Sequence, residues 1–146
     1  MTMQPTADTT DVTWVLDQLV KEQPGVAHAL LFTTDGLVLA YSHTLQRAAA
    51  ERAAAAMSAV KSLHTELTAF CSVPTGQETS PSLRCVISDM KDATLLLFAV
   101  NPRTGIGVSV EGDSMSRQVS AAITATLKMI NGLRPVLDAR ERSDPA

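Results

Sequence analysis

Residues Pro24–Ala40 read PGVAHALLFTTDGLVLA, and the fold turns on this stretch. Pro24-Gly25 ends whatever helix precedes it, because proline lacks a backbone donor and glycine permits the turn. Val26 to Thr34 is then apolar on both alternating faces, and a second apolar run, Leu37 to Tyr41, follows Asp35-Gly36. Asp-Gly between two such runs signals a β-hairpin. A strand apolar on both faces belongs to a sheet covered on both sides, and in a short chain the covers are helices.

Working outward, Val12, Val15, Leu16, Leu19 and Val20 recur at helical spacing after Asp11, a good N-cap, which predicts a helix over 12–23. Downstream, Leu45 to Phe70 lacks Gly and Pro and is rich in Ala, predicting one long helix. Its apolar stripe is Leu45, Ala49, Ala53, Ala56, Val60, Leu63, Leu67 and Phe70; Ala48, Ala50, Ala54, Ala55 and Ala59 beside it admit the close approach of another backbone. Ser72 to Pro81 reads as a loop. Leu83–Met90, Thr94–Val100 and Gly105–Glu111 then form a three-stranded meander with hairpin-length connections. A last helix starts near Asp113 or Ser114, buries Met115, Val119, Ala122, Ile123, Thr126, Leu127 and Ile130, and stops at Asn131-Gly132. The reading is an α+β domain of order α-β-β-α-β-β-β-α over residues 12–132, between a flexible N-terminus (1–11) and a flexible C-terminal tail (133–146).

The 146 residues suffice for one core, since a chain of this size buries about 70% of its unfolded surface. A net charge of -3 with five aromatic residues offers neither the basic footprint nor the stacking platform that nucleic acid requires. No apolar run approaches the roughly 20 residues needed to span a bilayer. The polar start lacks the pattern of a secretory signal, and Cys71 and Cys85 lack zinc-ligand spacing, so they read as reduced cytoplasmic thiols.

The sequence carries no recognisable catalytic constellation. Gly105-Ile106-Gly107 lacks the Lys-Ser/Thr of a phosphate loop and reads as a strand start where a neighbouring backbone comes close. His28, His43 and His64 fall on a strand, a loop and a helix with no metal-ligand spacing, and nothing local activates Cys71 as a nucleophile. Asp35-Gly36 is explained by turn chemistry. Arg47 and Arg52, next to Glu51, read as a solvated helix face, and Trp14 and Tyr41 as packing aromatics. No catalytic residue, cofactor or metal site is therefore assigned.

The phrases Trp14–Val20 (WVLDQLV), Pro24–Ala29 and Thr34–Ala40 resemble the roadblock / dynein light chain seven (Roadblock/LC7) family, and within it the roadblock proteins of actinobacterial conservon gene clusters. The likeness spans about residues 12–132. It implies a five-stranded antiparallel sheet with the long helix on one face and the two terminal helices on the other. It also implies a homodimer built by the long helix and the third strand, which places Met57, Val60, Lys61, His64, Leu67, Arg84, Val86 and Ser88 as interface candidates; for the apolar ones, intramolecular core is the competing assignment.

The function implied by this likeness is a non-enzymatic homodimeric adaptor of a small Ras-like GTPase, cytoplasmic and linked through partners to a histidine-kinase-like membrane sensor. Some relatives activate GTP hydrolysis, and Arg47, Arg52, Arg84 and Arg103 are available for an inserted arginine, with nothing to select one. The alternative is a PAS/GAF-like small-molecule sensor, which requires an apolar pocket with a few polar groups. An enzyme using Cys71 or a histidine stands last.

Overall fold

The computed structural model describes residues 3–71 and 82–143, with side chains described over 12–71 and 82–139. The elements run α1 (Met3–Glu22), β1 (Val26–Thr33), β2 (Val38–Tyr41), α2 (Arg47–Thr65), α3 (Thr68–Cys71), β3 (Cys85–Asp89), β4 (Ala93–Asn101), β5 (Thr104–Glu111) and α4 (Arg117–Ser143). The loop expected over Ser72–Pro81 lies outside the described residues.

The quoted stretch folds as read. Gly36 takes φ +87° at the hairpin tip, where its N–H donates to the Thr33 carbonyl at 2.9 Å. The Thr33 N–H donates to the Leu37 carbonyl at 2.9 Å, and the Leu37 N–H returns to Thr33 Oγ1 at 3.1 Å. Both strands join a fully antiparallel five-stranded sheet of order β2-β1-β5-β4-β3.

Strand alternation divides the core into two layers. Ala29 and Leu31 of β1, Leu96, Phe98 and Val100 of β4, and Ile106, Val108 and Val110 of β5 face α1 and α4, meeting Leu16, Val119, Ala122 and Ile130. On the opposite face Leu30, Phe32 and Leu97 meet Ala50 and Ala54 of α2, with Met57, Leu83 and Val86 packed around them. The glycines of β5 make this second layer thin. A Cβ on Gly105 would sit 2.5 Å from the Phe32 ring, and one on Gly107 would collide with the Met57 thioether. The neighbours that come close are thus side chains, not the backbone the sequence suggested.

Four boundaries differ from the reading. Helix α1 begins at Met3 rather than after Asp11; Pro5 falls in its first turn, where a missing N–H leaves no bond unmade. The long helix breaks, because Glu66 and Leu67 donate to the carbonyls of Leu63 and His64 three residues back, and Thr68 Oγ1 donates to the Thr65 carbonyl. This tightens the last turn and starts α3 without any Gly or Pro to announce it. Helix α4 starts at Arg117 under a Ser116 cap, whose Oγ accepts the Val119 N–H at 3.3 Å, so Met115 precedes the helix and is exposed; Leu127 is exposed as well. Finally, α4 does not stop at Asn131-Gly132 but continues through Pro135 to Ser143. Interior proline costs a helix about 3 kcal/mol, and the compensation is tertiary. Leu133 and Leu137 are buried, Arg134 Nε donates to the Val100 carbonyl at 3.1 Å, and Asn101 Nδ2 donates to Asp138 Oδ1 at 3.1 Å.

Candidate interface on helix α2 and strand β3

Helix α2 meets the sheet through its smallest residues. Ala50 and Ala54 are its only fully buried side chains, so the helix lies close to β1 while most of its circumference stays open. The hairpin tip holds it from one side: Ser58 Oγ donates to the Thr34 carbonyl, and Gly36 lies beside Ala55, its missing Cβ 3.5 Å from the Ala55 Cα. Because α2 turns once per 3.6 residues, Met57, Lys61 and His64 continue the sheet-facing line of Ala50 and Ala54. Ala48, Ala55, Ala59 and Leu63 point the other way and are exposed. The outward apolar surface continues into the next turn and α3, where Leu63, Leu67 and Phe70 are 65%, 48% and 87% exposed. Three large apolar side chains in eight residues exceed the isolated exposures normal on a surface.

Strand β3 adds an open edge. It pairs with β4 alone among the described residues, from Cys85 opposite Phe98 to Asp89 opposite Thr94. Its outer backbone groups are therefore unpaired within the described residues. Ile87 is exposed, with Cys85 and Asp89 on the same face, and Val86 packs under α2. An exposed edge strand with an apolar residue on it is a template for pairing with another chain.

The eight candidate residues divide accordingly. Met57 and Val86 are half-buried in the layer beneath α2. Lys61 and His64 lie at the sheet side of the helix's last turns, Val60 on its flank, and Leu67 at its exposed end. Arg84 is exposed and Ser88 half-exposed, both on or beside the free edge; the Arg84 carbonyl accepts the Ala99 N–H at 3.0 Å. The residues that the sequence reading placed in the helix's own core stripe, Leu63 and Phe70, are the most exposed large side chains of this surface. No local signal announces this facing, since Lys61 and His64, polar residues that belong on a solvent face by ordinary amphipathicity, lie on the sheet side instead.

The remaining candidates are dispersed. His28 Nδ1 lies 2.9 Å from Thr44 Oγ1, which in turn lies 2.8 Å from the Oγ of buried Ser42, the acceptor of the Ala29 N–H. The ring and backbone N–H of His43 are both held by the Asp17 carboxylate, tying α1 to the β2–α2 connection. His64 Nδ1 donates to the Val60 carbonyl at 2.9 Å. Arg47 lies 3.6 Å from Glu51, and Cys71 and Cys85 are exposed free thiols. Among the described residues, no three of His, Cys, Asp and Glu gather closely enough to hold a metal ion, and no helix is long and apolar enough to cross a membrane.

Among the described residues, two ionisable groups depart from their ordinary behaviour. Burial pushes the Lys61 ammonium down, since a charge half-removed from water is disfavoured. The Asp89 carboxyl is held down mainly by Ser114, whose Oγ and backbone N–H donate to Oδ2 at 2.8 and 3.3 Å.

The chain is thus an antiparallel sheet between helical layers, with an edge strand unpaired among the described residues and an apolar helix face exposed. The Roadblock/LC7 domain model matches residues 12–109, and the chain belongs to that family. A Roadblock/LC7 domain from Streptomyces avermitilis superposes with TM-score 0.71 at 22% identity, over 86% of this chain and 96% of that one. MglB of Myxococcus xanthus gives TM-score 0.73 at 14% identity over 90% of both chains, and the gliding protein MglB of Thermus thermophilus gives 0.70 at 13% over 93% of both. A search of curated protein sequences gives no match. The family matched is thus Roadblock/LC7, the one the sequence phrases resemble.

Proposed function

We propose that the protein is a non-enzymatic, homodimeric adaptor that regulates a small Ras-like GTPase and couples it to a histidine-kinase-like membrane sensor, working in the cytoplasm and recruited to the membrane through its partners. The observation that supports this reading is a pair of uncovered surfaces among the described residues: the outward apolar face of α2 and α3, and the edge of β3. A two-fold axis beside β3 would continue two five-stranded sheets into one and bring the two α2 faces together, so one self-complementary patch covers both. Val60, Leu67, Arg84 and Ser88 border that interface, with Leu63 and Phe70 at its centre; Met57 and Val86 support it from beneath. The GTPase partner and the sensor come from the family resemblance.

The test is an affinity pull-down of the tagged full-length chain from native lysate, run with GDP and with a non-hydrolysable GTP analogue. The reading expects a Ras-like GTPase to be retained, more strongly in one nucleotide state, and to be lost with Leu63→Glu. Retention of no GTPase in either state would overturn the adaptor reading.

A further inference from the structure

We propose that the recess between the last turns of α2 and the C-terminal end of β4 binds a small organic carboxylate with an apolar body, a property that goes beyond the adaptor reading and does not depend on it. The recess is a half-open groove of about 560 Å³, with Lys61 and His64 on the helix side and Leu83, Ala99, Val100, Asn101 and Pro102 across from them. That volume is within the roughly 300–1,000 Å³ of small-ligand sites, which pair a mostly apolar lining with a few placed polar groups.

The charge arrangement selects the ligand. Lys61 is half-buried, yet the ion pairs among the described residues are His43–Asp17 and Arg47–Glu51, and no hydrogen bond is made by the Lys61 ammonium. A cation taken partly out of water without an anion is a cost that a bound carboxylate removes. Burial already lowers the Lys61 pKa, consistent with a missing counter-charge. His64 has its Nδ1 committed to the Val60 carbonyl, which leaves Nε2 for a ligand. Asp138, beside the lining residue Asn101, is engaged by the Asn101 amide, and Glu66, next to the lining residue Thr65, is exposed and makes no ion pair with Lys61. The ionisable groups in the lining itself are cationic or neutral, Lys61 and His64, with no carboxylate among them. One compact ammonium, with no guanidinium among the lining residues, suits a single carboxylate better than a phosphate. The apolar far wall suits a hydrocarbon body.

The experiment is isothermal titration of octanoate into the full-length protein, with octanol as the uncharged control and Lys61→Met and Ala99→Leu as variants. Lys61→Met removes an unpaired half-buried charge and is expected to fold, and Ala99→Leu fills the recess without touching the charge. The proposal expects saturable binding of one octanoate per chain, at least tenfold weaker in each variant and at least tenfold weaker for octanol. Absence of octanoate binding, equal binding of octanol, or binding undiminished in Lys61→Met would each overturn it.

Discussion

Gly105 and Gly107 occupy alternate positions on one face of β5, yet replacing them carries unequal costs. A Cβ at Gly105 meets the ring of Phe32, which is fully buried and has nowhere to turn. A Cβ at Gly107 meets only the flexible end of half-exposed Met57, which can swing aside. Gly105→Ala is therefore expected to lower stability by about 1–3 kcal/mol, the range for overpacking a closed core, and Gly107→Ala by under about 1 kcal/mol, both read from urea denaturation. Asp89 supplies a pH test. Its folded pKa lies below its unfolded value, so its contribution is fully present above the unfolded carboxylate pKa of about 3.9 and is lost as pH falls through the folded value. The stability difference between wild type and Asp89→Asn should be largest above about pH 4 and close toward acid; a difference constant with pH would contradict the assignment. At this scale Asp35-Gly36 was legible because the turn's chemistry is local. Asp89 was not, since Ser114, its partner, lies 25 residues away.

Helix α4 shows how an element can outrun its local signals. Asn131-Gly132 and Pro135 are sound stop signals, and they were overridden by contacts that only the folded sheet supplies: Arg134 on the Val100 carbonyl, Asp138 on Asn101, and buried Leu133 and Leu137. Leu137→Ala should then cost about 2–4 kcal/mol, as for a buried leucine; a change under about 0.5 kcal/mol would mean that this turn is not docked. Helix α2 presents the converse case. Its length was legible from propensity, but its facing was ambiguous because alanine suits both a close-packed sheet face and a helix–helix contact. Only the sheet, by taking Ala50 and Ala54, turns Leu63 and Phe70 outward. The strands were the most legible elements, because apolar residues on both faces with short polar connections leave few alternatives to a two-sided antiparallel sheet.

For the molecule as a whole, element order and the phrase at Pro24–Ala40 sufficed to indicate the roadblock fold, and the family match over residues 12–109 agrees. The candidate interface was only half legible, since periodicity identifies apolar stripes without saying which one a sheet claims. The central claim is that the outward face of α2 and α3 and the edge of β3 join two copies of the chain. Its most direct test is light scattering across a concentration series, on wild type and on Leu63→Glu. Twice the 15.5 kDa chain mass is expected for wild type, with the single-chain mass and an unchanged circular dichroism spectrum for Leu63→Glu. A wild-type protein that stays at the single-chain mass throughout, or a Leu63→Glu variant that remains dimeric, would contradict the account.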